Sequence, residues 1–232
     1  FFFGPMFLMP HACRVAAGTL KPPFLRHHRH HHPRAASSAP THQYDCIVVG
    51  GGVMGASAAW ALARRSQSVA LLEQYTCGHA HGSSHGDGRI YRTLYGEADY
   101  VALMRRALML WREAEQEAGE TLLHECGALT TCRHDQLDRL QPVLDQWTTN
   151  AVNFEVLTRA ECQRQFPQFN LKPDEIGILQ RHECGVVFAT PATVALWRLA
   201  ESNGAACRGN VRVVHINPTV DGGVEVSAEN GE

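Results

Sequence analysis

An α/β fold built around a Rossmann-like, dinucleotide-binding βαβ unit is predicted by three features within residues 44–73. A short apolar strand comes first, at residues 46–49. A glycine fingerprint, G-x-G-x-x-G, follows at once at residues 50–55. A second strand at 69–72 then ends in Glu73, which lies 23 residues after the first glycine. Strand, turn, helix, strand and acid at this spacing are typical of domains that bind NAD or FAD.

The residues of the fingerprint have separate predicted roles. Gly50 permits the tight turn out of the strand, and Gly52 lets the backbone approach a pyrophosphate without an intervening Cβ. Gly55 lets the helix lie close to the sheet. The helix is predicted to begin near Val53, with Met54 next, so that its free N–H groups and its dipole face the phosphates.

The strands and the acid complete this prediction. Residues 46–49 are too apolar for a surface strand and are typical of a parallel strand buried on both faces. Glu73 can accept hydrogen bonds from ribose hydroxyls, and its charge disfavours NADP, whose 2′-phosphate would face a carboxylate. The unit alone does not distinguish NAD from FAD, and an ordinary βαβ turn without a nucleotide is the alternative.

Composition and charge limit the classes of function. The chain has 232 residues and no run of about 18 apolar residues, so we expect one or two domains and no membrane span. Residues 1–44 contain five Lys/Arg and no acid, which leaves 16 basic and 23 acidic residues, a net charge of −7, in the remainder. A body of that charge is not expected to bind nucleic acid. The eight cysteines form no C-x-x-C pair, which is typical of a reduced intracellular protein.

The first 43 residues are predicted to be a disordered leader. An acid-free segment that contains Arg and Ser is typical of a mitochondrial or plastid transit peptide. Without that role, we expect a peroxisomal or cytoplasmic protein. The histidine-rich run at 27–32 could bind a transition metal, but a weakly basic linker is the simpler interpretation, and no metal site is predicted.

Beyond residue 92 the apolar pattern predicts alternating helices and strands. The predicted helices are 100–118, 134–150, a short one opened by a Thr158–Glu161 capping box, and one from Thr190 to about Ser202. The predicted strands are 127–131, 154–157, 176–179, 185–188, 211–216 and 224–228.

A loop at residues 83–92, with the sequence SSHGDGRIYR, is dense in polar groups and glycine. It follows the second strand and can therefore fold back over a cofactor. Arg89 and Arg92 are three residues apart and would share a face if the segment were helical. Two guanidinium groups would suit an anionic substrate and the negative charge of a reduced ring, while a solvated connection is the alternative.

Together with the glycine unit, residues 82–97 (GSSHGDGRIYRTLYGE) resemble the sarcosine oxidase and pipecolate oxidase family of FAD-dependent amine oxidases. The resemblance continues through GVVFATPAT at 185–193 and covers residues 44–232, about the first half of a protein of this family. It implies a Rossmann-like FAD-binding domain with an interleaved α+β substrate domain, truncated. The implied segments are 44–125 and 187–232 for the FAD-binding domain and 126–186 for the substrate domain.

The resemblance also implies a chemistry. Members of the family oxidise the C–N bond of a secondary or N-methylated amino acid to an imine. Hydride equivalents pass to FAD, which O2 reoxidises to give hydrogen peroxide. The implied partners are an amino-acid substrate and O2, and the oligomeric state stays open.

Site residues follow from the same resemblance. Gly50, Gly52, Val53, Met54 and Gly55 would hold the pyrophosphate, Glu73 the adenosine ribose with Gln74 beside it, and Ser83, Ser84 and His85 would lie against FAD. Arg89 would lie near the isoalloxazine ring, Arg92 would pair with the substrate carboxylate, and Val213, in the strand after the helix from Thr190, would contact adenine through its backbone. The implied catalytic group is His85, Arg89 and Arg92.

The family's flavin-tethering cysteine, oxygen-activating lysine and second carboxylate-binding residue would lie in a C-terminal half beyond Glu232. None of the eight cysteines is assigned as the tether. Three alternatives therefore stay open: an FAD dehydrogenase with another acceptor, an NAD-dependent dehydrogenase, and a truncated, non-catalytic FAD-binding fragment.

Overall fold

The computed structural model describes residues 42–229, so the predicted leader and its histidine-rich run lie outside the described residues. The helices in this range are α1 (Val53–Ala63), α2 (Ala98–Ala118), α3 (Leu137–Thr149), α4 (Arg159–Gln165) and α5 (Ala189–Ser202), with a short 3₁₀ turn at His134–Gln136. The strands are β1 (Cys46–Val49), β2 (Val69–Leu72), β3 (Arg89–Tyr91), β4 (Leu123–His124), β5 (Ala128–Arg133), β6 (Glu155–Leu157), β7 (Glu175–Gln180), β8 (Gly185–Val187), β9 (Ala206–Arg208), β10 (Val213–Pro218) and β11 (Val224–Ala228).

The predicted βαβ unit is confirmed. β1 and β2 pair in parallel, with Cys46 opposite Val69 and Val49 opposite Leu72, and α1 connects them. β9 pairs in parallel with the other side of β2, which gives the strand order β1-β2-β9. The carboxyl ends of β1 and β2 therefore lie side by side, which is where a doubly wound sheet binds its ligand.

The prediction that residues 46–49 are buried on both faces is wrong. The first three residues of β1 are only half-buried, and Val49 is 50% exposed. In contrast, Val69–Leu71 of β2 are almost completely buried. The cause is the strand order, because β2 lies between two strands whereas β1 has a paired neighbour on one side only within residues 42–229.

The alanine-rich sequence of α1 lets it pack closely against α5. Ala56, Ala59 and Ala63 are buried with Trp60 on one face of α1. These side chains share one apolar cluster with α5 and β2. Trp60 Nε1 also donates to Glu117 Oε2 on α2, at 3.2 Å. Small side chains on a good helix-forming sequence thus fix α1 on the sheet.

Three further sheets complete the described part of the chain. One has the antiparallel order β3-β8-β4, the second the antiparallel order β5-β7-β6, and the third is the β10-β11 ribbon. The helix predicted at 100–118 forms as α2, and the Thr158–Glu161 capping box opens α4 as predicted. No helix among residues 42–229 has the length and apolar content needed to cross a lipid bilayer.

Candidate cofactor-binding site

The glycine fingerprint forms the turn between β1 and α1. Gly50 has φ +103°, a conformation that side chains rarely adopt, so glycine is required there. A Cβ at Gly55 would lie 1.8 Å from Gly50 O, so the first turn of α1 lies directly on the turn before it. Gly52 is the N-cap and has no side chain that could cap the helix.

Glu73 ties this turn to the end of β2. Glu73 as a whole residue is only 5% exposed. Oε2 accepts the N–H of Gly51 at 2.7 Å, and Oε1 accepts the N–H of Tyr75 at 2.9 Å. Trp197 of α5 covers Gly51, where a Cβ would lie 2.2 Å from the indole Cζ3. The carboxylate is therefore fixed by neutral donors beside the glycine turn, while Gln74 next to it is exposed.

The loop at residues 83–88 contacts the glycine turn and the start of α1, and its position over a cofactor stays a prediction. Ser84 Oγ accepts the N–H of Val53 at 3.0 Å. The expectation that this first N–H of the helix is free is therefore wrong, because a side chain from the loop caps it. An oxygen accepting from the N-terminus of a helix is favourable for both its hydrogen bond and the helix dipole.

Two threonines of α5 hold this loop in place, and sequence reasoning missed both. Thr193 Oγ1 donates to Ser84 O at 3.1 Å. Thr190 Oγ1 accepts the N–H of Gly86 at 2.9 Å, and Gly86 O accepts the N–H of Thr190 at 3.1 Å. The pair of threonines three residues apart in GVVFATPAT was the available signal.

We expect Ser84→Ala to lower the free energy of unfolding by about 1 kcal/mol, as the loss of a helix cap does. The substitution leaves the N–H of Val53 without its acceptor. The matched control is Ser57→Ala, because Ser57 Oγ donates only within α1, to Met54 O. Urea unfolding of both variants measures the difference, and equal stabilities would contradict this role of Ser84.

These elements border a cleft of about 180 Å³. It is lined by Gly51, Gly52, Glu73, Gly78, His79, Gly82, Ser83, Ser84 and Thr193. A larger, shallower depression of about 450 Å³ lies at the C-terminal end of α2, lined by residues between Arg112 and Thr121. It contains none of the predicted site residues, so the smaller cleft is the candidate site.

The cleft brings together four of the predicted site residues: Gly52, Glu73, Ser83 and Ser84. Met54 is predicted beside them but is 80% exposed, because it lies on the outer side of the first turn of α1. His85 is half-buried in the loop and does not line the cleft.

The two arginines do not share a helical face, because residues 89–91 form strand β3 rather than a helix. In an extended segment, residues three apart point to opposite sides. Arg89 turns back on its own loop, with Nε donating to Ser83 O at 3.1 Å and Nη1 to Gly88 O at 2.8 Å. The Arg92 guanidinium lies 5.6 Å from the ring centroid of Tyr95. Both side chains are exposed.

The sequence predicts Val213 in the first strand after α5. This is wrong, because β9 lies between α5 and the strand that contains Val213. Val213 begins β10 and pairs with Ala228 of β11. The backbone beside Glu73 comes instead from Arg208, whose O accepts the N–H of Glu73 at 2.9 Å, and from Val211, whose N–H donates to Glu73 O at 2.8 Å. A three-residue strand such as β9 gives too short an apolar signal to be predicted.

All seven described cysteines are free. Burial raises the pKa of Cys207 to about 12, and the negative charge of Glu201 adds to the shift. Burial also raises the pKa of Cys77, which immediately precedes Gly78 of the cleft lining. Neither thiol is therefore a reactive thiolate at neutral pH.

The arrangement has the chemistry of a dinucleotide site. The N-terminus of α1 supplies a positive dipole for phosphate, although Ser84 Oγ already accepts its first N–H, and the buried carboxylate of Glu73 supplies an acceptor for ribose hydroxyls. Gly52 leaves its side of the cleft without a side chain, and a Cβ there would lie 3.1 Å from Ser84 Oγ. The residues present thus fit the diphosphate and ribose of a dinucleotide.

Comparison with known proteins decides which dinucleotide family this is. The sequence profile of the FAD dependent oxidoreductase (DAO) family matches residues 45–232. The chain belongs to this family. Its cofactor is accordingly FAD, and the NAD-dependent alternative is set aside.

Individual relatives agree with this assignment. Mouse peroxisomal sarcosine oxidase is 35% identical over 185 residues, which cover 78% of this chain and 46% of that protein. The N-methyl-L-tryptophan oxidase of Salmonella enteritidis is 30% identical over 192 residues, covering 82% of this chain and 50% of that protein. The open form of NikD, described as an unusual amino acid oxidase essential for nikkomycin biosynthesis, superposes with a TM-score of 0.73 at 31% identity, covering 82% of this chain and 49% of NikD. The chain thus spans about half the length of the relatives it matches.

Proposed function

We propose that this chain binds FAD as part of an oxidase that acts on a secondary or N-methyl amino acid. The observation that carries the proposal is that Glu73 and the capped N-terminus of α1 line one cleft. Gly50, Gly52, Val53, Met54 and Gly55 would hold the diphosphate. Glu73 would hold the adenosine ribose with Gln74 outside it, and Val213 would contact adenine. Ser83, Ser84 and His85 would lie along the cofactor.

The reaction would remove a hydride from the carbon next to the amine nitrogen and a proton from the nitrogen itself, which leaves an imine. Bound flavin would take up the reducing equivalents and O2 would accept them as hydrogen peroxide. This chain would contribute the positive charges of Arg89, near the reacting ring, and Arg92, at the substrate carboxylate. His85 would be the third member of the proposed catalytic group. Support comes from the named activities of the relatives, sarcosine oxidase and N-methyl-L-tryptophan oxidase.

The same proposal covers the domains and the compartment. FAD-binding segments at 44–125 and 187–232 would flank a substrate domain at 126–186. In support, β5, β6 and β7 share one sheet, whereas β8 pairs with β3 and β4, so the chain changes sheets between residues 180 and 185. Because two relatives are named as peroxisomal, the peroxisome is the proposed compartment if the leader is not a transit peptide.

The function is tested by assaying peroxide and imine formation in air with sarcosine, pipecolate and N-methyltryptophan. An oxidase gives one peroxide for each substrate consumed. Substrate-dependent bleaching of the flavin at about 450 nm without peroxide would indicate a dehydrogenase with another acceptor. No bleaching with any amino acid, in a protein that retains FAD, would reject the proposed activity and leave a non-catalytic FAD-binding fragment.

We expect Arg92→Ala to raise the KM for carboxylate substrates in the active enzyme by about tenfold or more, because a charge-assisted hydrogen bond contributes about 1.5–3 kcal/mol. Stability should change little, because Arg92 is exposed. Arg106→Ala is the matched control, since this arginine is also exposed but lies on α2. Unchanged KM and kcat in Arg92→Ala would contradict the assigned role.

A further inference from the structure

Beside Glu73, the rings of Tyr75, His79 and His81 form a small aromatic cluster. His79 belongs neither to the glycine fingerprint nor to the loop at residues 83–88. The rings of Tyr75 and His81 stack with 4.1 Å between their centroids, and those of Tyr75 and His79 lie 4.9 Å apart. His79 is the member that lines the cleft, and its side chain is 16% exposed. It thus lies at the boundary between the aromatic cluster and the cleft.

The contacts of His79 define the tautomer of its ring. Nδ1 accepts the backbone N–H of His81 at 3.0 Å, so Nδ1 carries no proton. The ring proton is therefore on Nε2, which lies 3.3 Å from Glu73 Oε1. The backbone is also fixed, because the N–H of His79 donates to Thr76 O at 3.2 Å. His79 thus holds one N–H donor next to the buried carboxylate.

A carboxylate alone is an incomplete partner for a ribose hydroxyl. A hydroxyl both donates and accepts, whereas an ionised carboxylate only accepts. Glu73 makes hydrogen bonds of 2.7 and 2.9 Å to the N–H groups of Gly51 and Tyr75, which belong to the fixed backbone. The distance from His79 Nε2 to Glu73 Oε1 is longer, at 3.3 Å. This is the contact that can be exchanged for one to a ligand.

We propose that His79 is a second ribose-binding residue. Its Nε2–H donates to a ribose hydroxyl oxygen whose own proton is donated to Glu73. Donor and acceptor then match the two capacities of the hydroxyl. The inference rests on the proposed function, since it requires the adenosine diphosphate half of FAD in this cleft. The alternative is that the His79 ring only packs against Tyr75.

Ligands that lack one ribose hydroxyl distinguish a hydrogen-bonding role of His79 from a packing role. Isothermal titration of the full chain with ADP, 2′-deoxy-ADP and 3′-deoxy-ADP is compared for wild type, His79→Phe and His79→Gln. We expect His79→Phe to bind ADP about fivefold more weakly than wild type, because one hydrogen bond is lost. For the deoxy ligand that lacks the hydroxyl contacted by His79, the affinities of His79→Phe and of wild type should be equal. His79→Gln keeps an N–H donor and should recover most of the ADP affinity.

His81→Gln is the control, because it keeps the backbone N–H that His79 accepts and changes only a side chain outside the cleft lining. It should leave all three affinities within about twofold of wild type. An equal loss for all three ligands in both His79 variants would mean that the ring only packs, and would overturn the proposal. Failure of the wild-type chain to bind ADP or FAD would instead reject the proposed function, and this inference with it.

Discussion

Gly55→Ala is expected to destabilise the protein by about 2 kcal/mol, although alanine is the better helix former. Alanine in place of a helical glycine gains roughly 1 kcal/mol. Here the added Cβ would lie 1.8 Å from Gly50 O and 3.0 Å from Gly50 C, which are backbone atoms that cannot rotate away. Overpacking costs about 1–3 kcal/mol and occasionally more, and a clash with rigid backbone lies at the upper end of that range, at about 3 kcal/mol. The steric cost therefore exceeds the gain in helix propensity.

Urea unfolding of Gly55→Ala beside Gly96→Ala measures this effect. Gly96 is a suitable control because an added Cβ would meet only Val143 Cγ2, at an ordinary 3.9 Å. The control should stay within about 0.5 kcal/mol of wild type. A Gly55→Ala protein as stable as the control would mean that the turn and α1 are not in the contact described.

Gly52→Val has the largest expected effect on cofactor binding. In contrast to Gly55, the neighbour of an added Cβ is a side chain, Ser84 Oγ at 3.1 Å, which can rotate. The fold should therefore survive, but the valine side chain would enter the cleft and separate the backbone from the diphosphate. Hydrogen bonds to a charged group contribute about 1.5–3 kcal/mol each, so the loss of one or two weakens FAD binding by about a hundredfold.

Flavin fluorescence titration of Gly52→Val, with Gly96→Ala again as control, gives the two affinities. Circular dichroism shows whether each variant is folded. A folded Gly52→Val protein that retains a full equivalent of FAD would contradict the assignment of the diphosphate to this turn.

The features that the sequence predicted well are local in the chain. The glycine turn, α1 and the acid at the end of β2 fall within thirty residues, and each is determined by residue type and spacing. The Thr158–Glu161 capping box is likewise a contact between neighbours. Where a structure is formed by residues close in sequence, residue propensity and sequence pattern are sufficient to predict it.

The features that were missed or wrong depend on distant parts of the chain. Thr190 and Thr193 hold the loop through hydrogen bonds to residues 104 and 109 positions away. β9 is only three residues long and forms because β2 offers it a partner. The exposure of β1 follows from strand order, and no strand reveals its place in a sheet by its own composition. Arg89 and Arg92 would share a face only in a helix, but the pairing of residues 89–91 with β8 makes this stretch extended.

The site that results combines both kinds of information. Gly52 and Glu73 come from the local fingerprint, whereas Ser84 reaches α1 only because α5 anchors its loop. His79 enters the site through a turn and a side-chain contact that no motif specifies.

A crystal structure of the chain with FAD tests the central claim most directly, namely that this cleft is the binding site of the cofactor. The predicted result is a diphosphate against Gly52 and the N-terminus of α1, with the adenosine ribose hydrogen-bonded to Glu73. A cleft without cofactor at saturating FAD, or FAD bound elsewhere on the chain, would contradict it.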